Sequence, residues 1–279
     1  MVFIKKKERL NPEVVRMVID CPMVAAKALP GQFIILRIDE MGERIPLTVS
    51  DYDREAGTVT IIFQEVGKTT KQLGQMEAGQ TLLNFVGPLG NPSHLDGKKK
   101  VAVVGGGLGT AIAYPQAKYL YQSGTEVHVV AGFREKDLII LQRELEANSD
   151  RCIITTDDGS NGNKGFVTDA LKALIEEGNV YDEVIAIGPL VMMKFVAKLT
   201  EPYGIKTTVS MNTIMIDGTG MCGCCRLKVG GETRFACVDG PDFDGHLVDF
   251  DEAMRRSVIY KDEERQSAEA HACRLYGRE

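Results

Sequence analysis

The first third of the chain alternates short runs of β-branched and aliphatic residues with turns. Turn signals such as Pro30-Gly31 and Ala56-Gly57 separate runs of five to seven residues. Short strands at regular intervals are typical of an antiparallel β-barrel. The predicted strands span residues 14–20, 32–38, 45–49, 58–63 and 81–85, and one helix is predicted at 69–76.

The hydrophobic pattern changes at Lys98. From there short apolar runs alternate with longer segments of helical periodicity. This alternation is typical of a parallel, Rossmann-like sheet with helices on both faces. The predicted strands span 101–104, 127–130, 153–156 and 183–187, and the predicted helices span 110–122, 141–147, 167–177 and 192–199.

A cysteine- and glycine-rich stretch follows, with a predicted hairpin of strands 226–229 and 233–236 across Gly230-Gly231. The remaining tail is polar, and one helix is predicted in it. We therefore predict an α/β plus β fold. Its parts are an antiparallel barrel at 1–97, a parallel-sheet domain at 98–210, a small arm at 211–245 and a partly helical tail at 246–279.

Composition narrows the functional classes. The 279 residues are 44% hydrophobic and 26% charged, which fits an ordinary soluble protein with room for more than one core. A net charge of −6 without a clustered basic face argues against nucleic-acid binding. No apolar run is long enough for a membrane helix, and the N-terminus lacks the apolar segment of a signal peptide. Seven cysteines, grouped mostly on one loop, favour a reducing cytoplasm and a metal site over disulfides.

The cysteine group has the spacing of an iron–sulfur site. Plant-type 2Fe–2S sites use Cys-x4-Cys-x2-Cys with a fourth Cys further on. Here the first position is an aspartate, whose carboxylate has the same formal charge as a thiolate but is a harder donor. The predicted ligands are Asp217, Cys222, Cys225 and Cys237.

Two alternatives remain open for this group. A structural zinc ribbon also uses four cysteines, although it usually shows two Cys-x2-Cys pairs and this chain has one. Cys224 lies between two of the predicted ligands, and spacing alone does not decide whether Cys224 or Cys225 faces the iron. Glycines at 218, 220 and 223 favour a cluster, because backbone N–H groups must approach inorganic sulfide closely.

Glycine loops follow three of the predicted parallel strands. One is Gly105-Gly-Gly-Leu-Gly109, a second begins at Asp157-Asp158-Gly159, and a third is Gly188-Pro189. Because the carboxyl ends of parallel strands meet at one edge of the sheet, the three loops predict a nucleotide-binding crevice there. The alternative for the first loop is a tight turn without a ligand.

The barrel carries two further candidate segments. Gly67, Thr69 and Thr70 place a glycine and two hydroxyls at a helix N-terminus, where a pyrophosphate could bind, although such threonines are more often simple N-caps. The other segment, on a predicted strand, consists of Arg44, Pro46, Leu47, Thr48, Val49 and Ser50.

Taken together, these motifs resemble the ferredoxin-reductase-type flavoproteins. Within them the chain is similar to the electron-transfer subunits grouped as sulfide dehydrogenase and dihydroorotate dehydrogenase FAD/NAD-binding proteins. The resemblance implies FAD against Arg44 and residues 46–50, its pyrophosphate near Gly67, Thr69 and Thr70, and a flavin end closed by Pro88, Leu89 and Gly90. It implies NAD(H) over Gly105, Gly106, Gly107 and Gly109 and over the loop of Asp157, Asp158 and Gly159.

The resemblance also implies a function. It describes an oxidoreductase subunit in which NADH exchanges hydride with FAD, and a 2Fe–2S cluster passes single electrons to a larger subunit that holds flavin and 4Fe–4S clusters. No side chain is expected to act as a catalytic acid or base. Asp217 in place of Cys favours the bifurcating type, which reaches ferredoxin and NADP(H) through the larger subunit, over the dihydroorotate dehydrogenase type. A rival of another class is a nucleotide-binding regulatory module with structural zinc.

Coenzyme choice depends on the charges that follow the strands. Carboxylates at Asp157 and Asp158 favour NAD, because they accept a hydrogen bond from a ribose hydroxyl and repel a 2′-phosphate. Arg134 favours the opposite choice, because it can pair with that phosphate. We expect NAD.

Overall fold

A computed structural model describes residues 2–275 of the chain, with side chains omitted at 268 and 270–275. Its N-terminal part is a seven-stranded antiparallel sheet in the order β6-β1-β2-β5-β4-β3-β7. The strands are β1 Val2–Arg9, β2 Val14–Asp20, β3 Phe33–Arg37, β4 Ile45–Asp53, β5 Thr58–Gln64, β6 Thr81–Leu82 and β7 Asn84–Leu89, with helices α1 Pro22–Ala25 and α2 Lys68–Gln75 between them.

The strand β3 is buried on both of its faces. Ile34 and Leu36 point into the barrel core, whereas Phe33 and Ile35 belong to a second core outside the barrel. Successive side chains of a strand point to opposite sides, so one short apolar run serves two cores. The strand is thus the wall that separates the barrel interior from the rest of the molecule.

The second part is a six-stranded sheet in the order β10-β9-β8-β11-β12-β15. All of its neighbouring strands are parallel except β15, which pairs antiparallel with β12. Its elements are β8 Lys100–Gly106, α3 Gly109–Gln122, β9 Glu126–Phe133, α4 Gln142–Glu146, β10 Arg151–Thr156, α5 Val167–Glu176, β11 Glu183–Ile187, α6 Leu190–Thr200, β12 Thr207–Ser210 and β15 Asp242–Asp244.

The cysteine-rich arm follows β12. It contains a two-stranded hairpin of β13 Arg226–Val229 and β14 Glu232–Phe235, and two helices come after β15, α7 Phe250–Arg256 and α8 Lys261–Leu275. The arm shares the second core, in which Cys225, Leu227 and Cys237 are packed with Ile35 of the barrel. None of the described helices is long and apolar enough to cross a membrane.

The predicted fold class is confirmed, and the differences have physical causes. The strand β1 was not predicted, because its Lys5-Lys6-Lys7 run hides the apolar pattern. The predicted strand 81–85 is divided between β6 and β7, and the tail has two helices instead of one. The short strands β12 and β15 also escaped prediction. The strand β15 lies within the predicted arm in sequence but pairs with β12 of the parallel sheet. The proposed domain limits stay predictions.

A buried histidine lies near the beginning of the parallel strands. His128 is 6% exposed, and its Nδ1 lies 2.8 Å from the Tyr181 hydroxyl. Glu126 lies 3.3 Å from its Nε2, while Lys100 and Arg151 contribute positive charge nearby. Burial, with further repulsion from Lys100, lowers the pKa of His128 below its usual value, so the native state favours the neutral imidazole.

The free energy of unfolding should therefore depend on pH through His128. Since its pKa is lower in the folded than in the unfolded state, the contribution is present above about pH 6.5 and is lost as the pH falls below that value. We expect the His128→Gln variant to show a shallower loss of stability between about pH 7 and 5 than the parent. Denaturant titrations at several pH values test this, and parallel curves for the two proteins would contradict it.

Candidate functional site

A cleft of about 1110 Å³ lies between the barrel and the carboxyl edge of the parallel sheet. Pockets for cofactors usually have volumes of roughly 300–1,000 Å³ and are lined mainly by apolar groups with a few polar ones. Both walls of this cleft follow that description. Its size suits a nucleotide cofactor together with part of a second ligand.

The barrel wall of the cleft is formed by β4 and α2. Pro46, Leu47, Thr48 and Thr70 line it, in agreement with the predicted strand motif. The next two predicted residues, Val49 and Ser50, are each 1% exposed and lie below the surface. The strand has a register shift between Val49 and Asp51, which ends its regular alternation at that point.

The predicted pyrophosphate segment forms the beginning of α2. The Gly67 N–H donates a 2.9 Å hydrogen bond to the Thr70 hydroxyl, which in turn donates to the Gly67 carbonyl. The Thr69 hydroxyl donates to the Glu43 carboxylate. The Thr70 hydroxyl therefore caps the helix locally, whereas the Thr69 hydroxyl is bound to a side chain outside the helix.

The sheet wall of the cleft contains the glycine loop after β8. Gly106, Gly107 and Gly109 line the cleft, whereas Gly105 packs against α3 beneath it. A Cβ at Gly105 would lie 2.8 Å from the Thr110 Cα, and one at Gly109 would lie 2.4 Å from the Ile187 carbonyl oxygen. Glycine is therefore required for the close contact between the loop, the helix and β11.

The charged residues expected to choose the coenzyme are only partly in the cleft. Asp157 and Arg134 both line it. Asp158 does not, and its carboxylate accepts hydrogen bonds from the Ser160 N–H and hydroxyl, which hold the pKa of Asp158 below its usual value. With Gly159 at φ +78°, this forms a turn beside the cleft.

Further lining residues come from segments without a recognisable motif. The coil after β12 contributes Asn212 and Thr213, and α6 contributes Met192 and Phe195. Within residues 2–275, the buried Thr213 hydroxyl has no hydrogen-bond partner. The only sequence signal for Met192 and Phe195 was their position after a predicted parallel strand. Asn212 and Thr213 follow β12, which was not predicted, so the sequence offered no signal for them.

The segment expected to close the flavin end contacts the arm instead of lining the cleft. Pro88 is absent from the cleft lining, as are Leu89 and Gly90. A Cβ at Gly90 would lie 2.8 Å from the Phe33 ring and 3.1 Å from the Pro241 Cδ. Arg44 also lies outside the lining, is exposed, and is near enough to Asp217 to favour its ionised form.

Asp217 begins the cysteine loop. Its Oδ2 accepts hydrogen bonds from the hydroxyl and N–H of Thr219 and from the Met221 N–H. The Thr219 hydroxyl and N–H, the strongest of these partners, hold the pKa of Asp217 below its usual value. Within the described part of the chain, the Oδ1 of Asp217 accepts no hydrogen bond, so that oxygen is available to a metal.

The thiols of the loop form two neighbouring pairs. Cys225 and Cys237 are buried, with their sulfur atoms 3.3 Å apart, and burial raises the pKa of Cys237 to about 12. Cys222 is exposed and interacts with Cys224. The Cys224 N–H, followed by that of Asp217, lowers the pKa of the Cys222 thiol, and the Gly220 N–H similarly contacts Cys237.

The types of donor in this loop suit an iron–sulfur cluster, but their positions in this structure do not form a closed site. Thiolates and backbone N–H groups directed at sulfur are the features that such clusters need. Gly218, Gly220 and Gly223 have φ of +81°, +88° and +67°, which lets the loop turn around a ligand. Across residues 2–275, however, no three His, Cys, Asp or Glu side chains are grouped to hold a single metal ion.

Comparison with known proteins identifies the family. Residues 212–249 match the model of the iron–sulfur cluster binding domain of dihydroorotate dehydrogenase B. The electron transfer subunit of dihydroorotate dehydrogenase B (NAD(+)) from Streptococcus mutans is 32% identical over 87% of this chain and 95% of its own length. The chain belongs to the family of these electron transfer subunits.

Two further proteins have a higher sequence identity to this chain. A Thermotoga maritima protein described as a homolog of the same electron transfer subunit is 46% identical over 95% of this chain and 94% of its own. A chain in the structure of NADH-dependent reduced ferredoxin-NADP oxidoreductase, studied for flavin-based electron bifurcation, is 44% identical. It covers 97% of both chains with a TM-score of 0.91. The resemblance predicted from the motifs is thereby confirmed.

The pairing of the thiols leads to a prediction about which of them bind iron. We expect Cys225→Ala and Cys237→Ala to lose most of the bound iron, because each removes one of two adjacent buried sulfurs. Cys224→Ala should retain it, because Cys224 is not one of the two adjacent buried sulfurs. Iron analysis and visible absorption of anaerobically purified protein measure both. Iron loss confined to Cys224→Ala would reverse the assignment.

Asp217 gives a separate prediction. If its carboxylate binds iron, Asp217→Cys should keep the cluster with a changed spectrum and reduction potential, because ligand identity tunes the iron. Asp217→Ala should give a labile cluster. A matched control is Asp239→Ala, since the Asp239 carboxylate also caps a turn of the arm through the Phe235 N–H. If both alanine variants leave the spectrum, iron content and potential unchanged, Asp217 only caps its turn.

Proposed function

We propose that this chain is a flavin and 2Fe–2S electron-transfer subunit that exchanges electrons with NAD(H) and with a larger partner. The observation that carries the proposal is the placement of two sites on one barrel wall. The nucleotide-sized cleft lies beside Pro46 and Leu47 of β4, while the cysteine loop packs on the outer face of the neighbouring β3. Family membership supplies the chemistry that such a placement serves.

The barrel wall of the cleft is proposed to hold FAD. Bound FAD would accept a hydride from NADH and release the electrons singly to the cluster. Pro46, Leu47 and Thr48 face the cleft and would contact the flavin, while Thr70 lies where α2 begins. Binding the pyrophosphate at that helix end requires the Thr69 hydroxyl to exchange its Glu43 partner for the phosphate. The resemblance adds Arg44, Val49, Ser50, Gly67, Pro88, Leu89 and Gly90 as contacts. All seven lie outside the cleft lining in this structure, so their contact with FAD stays a prediction.

The sheet wall is proposed to hold NAD(H). Gly106, Gly107 and Gly109 line the cleft where α3 begins, and a helix N-terminus suits a pyrophosphate. The Gly107 N–H donates to the Gly132 carbonyl, so other N–H groups of this helix end would bind the phosphates. Asp157 in the cleft supports NAD, because its carboxylate can accept a ribose hydroxyl hydrogen bond. Asp158 and Gly159 shape the adjoining turn, and Gly105 fixes the loop from below.

The arm is proposed to hold a 2Fe–2S cluster through Asp217, Cys222, Cys225 and Cys237. Two of these thiols are already adjacent, and loop N–H groups contact the sulfurs. Binding would need Asp217 and Cys222 to turn toward that pair. The glycines with positive φ give the loop the backbone freedom for this movement.

We propose that the partner is the larger subunit of an electron-bifurcating oxidoreductase acting on ferredoxin and NADP(H). The 44% identity to a chain of the ferredoxin-NADP oxidoreductase structure supports this choice, as does Asp217 at the first ligand position. The second candidate partner is a dihydroorotate dehydrogenase core, because the cluster-domain model and the Streptococcus mutans relative have that name.

Cofactor analysis of the native complex, purified without oxygen, tests the proposal. We expect about one FAD and two irons for each copy of this chain, with zinc well below stoichiometric, and mass spectrometry should identify the larger subunit. NADH should reduce the bound flavin with a higher kcat/KM than NADPH. Arg134→Ala should lower any reduction by NADPH, because a cation near the 2′-phosphate would be lost.

Three outcomes would count against the proposal. One zinc and no iron would favour the structural-zinc rival. Equal or better kcat/KM with NADPH would contradict the coenzyme assignment. Co-purification with a dihydroorotate-oxidising subunit would replace the proposed partner with the second candidate.

A further inference from the structure

Gly218, next to the proposed ligand Asp217, lies directly on the barrel. A Cβ at this position would be 2.8 Å from Ile35 Cγ1 and 3.1 Å from Leu89 Cδ1. Its φ of +81° lies in the left-handed region that favours glycine. Because Gly218 has no side chain, the loop backbone packs directly against Ile35 and Leu89. Any larger residue would push the loop away from the barrel or displace these side chains.

The contacted residues are continuous with the wall of the flavin cleft. Ile35 of β3 pairs with Pro46 of β4, and Pro46 lines the cleft. On its other side β3 pairs with β7, which ends at Leu89. Because opposed residues of neighbouring strands point to the same face of a sheet, Ile35 and Pro46 lie on the same outer face, and the loop that begins at Asp217 and the cleft are neighbours on that face.

Independent contacts fix the arm to the barrel near the same point. The Asn91 N–H donates a 2.7 Å hydrogen bond to the Gly240 carbonyl, and its side-chain amide donates to the Val238 carbonyl at 3.0 Å. The Ser93 hydroxyl donates to the Asp242 carboxylate at 2.5 Å. These bonds hold the later part of the arm in place, so a clash at Gly218 must move the cysteine loop itself.

We propose that Gly218 is a positioning residue that sets the separation between the flavin cleft and the cluster, an inference that rests on the proposed function. In each transfer one electron would leave the reduced flavin and convert one ferric iron of the cluster to ferrous iron, with NADH as the source of electrons. Electron transfer slows with distance, so a displacement of the loop away from the barrel would lower its rate.

The test compares Gly218→Ala with Gly231→Ala. Gly231 lies in the hairpin turn of the same arm with φ +82°, but a Cβ there meets no atom within 4 Å. Both variants introduce similar backbone strain, and only the first pushes against the barrel. Stopped-flow absorbance separates flavin reduction by NADH from cluster reduction, and hydrogen–deuterium exchange reports the packing of residues 212–221 and of β3.

We expect Gly218→Ala to keep its FAD and its rate of flavin reduction, and cluster reduction is measured relative to the iron that each variant retains. The rate of cluster reduction in Gly218→Ala should fall below that of the parent, because the loop would lie farther from the flavin cleft, and exchange should increase in residues 212–221. Gly231→Ala should match the parent in both measurements. The double variant Gly218→Ala/Ile35→Ala should be faster than Gly218→Ala, because the shorter side chain removes the clash, with Ile35→Ala alone as its reference.

The inference is wrong if Gly218→Ala and Gly231→Ala have the same rate of cluster reduction and the same exchange. It is also wrong if the double variant shows no recovery relative to Gly218→Ala. Should Gly218→Ala fail to fold, recovery of folding in the double variant would support the contact, and failure of both would overturn it. A parent chain lacking FAD or iron would defeat the proposed function, whereas the exchange comparison would still decide whether Gly218 sets the packing.

Discussion

The structure depends on one strand that has no solvent face. In β3, Ile34 and Leu36 fill the barrel while Phe33 and Ile35 enter a core shared with the parallel sheet and the cysteine arm. Burial of apolar surface on both sides stabilises the barrel and its neighbours through the same four residues. The relative positions of barrel, sheet and arm therefore follow from packing against β3. Hydrogen bonds from Asn91 and Ser93 to the arm orient the arm on the barrel.

Close backbone contact is the second recurring device. Gly105 and Gly109 bring the glycine loop against α3 and β11, and Gly90 brings the end of the barrel against Pro241. In each case a Cβ would meet atoms that cannot easily move. The glycine loop of the cleft and the barrel end beside the arm are therefore held partly by van der Waals contact at places where the chain lacks side chains.

Much of this arrangement could be predicted from the sequence. Alternating apolar runs gave the barrel and the parallel sheet, and cysteine spacing gave the arm, because periodicity and ligand spacing are local properties. The directions in which individual side chains point were harder to predict. The register shift after Val49 and the contact of Leu89 with the arm depend on neighbours distant in sequence. Thr213 belongs to a coil with no periodicity, so its place in the cleft follows only from the fold. The pairing of Cys225 with Cys237 likewise required the packed core.

The short strand β15 protects one edge of the parallel sheet. It follows the cysteine loop in the chain and covers the outer edge of β12, which would otherwise present unpaired N–H and C=O groups. A chain whose arm is not seated would leave that edge open to pairing with other chains. Seating of the arm and protection of this sheet edge against aggregation are thus physically linked.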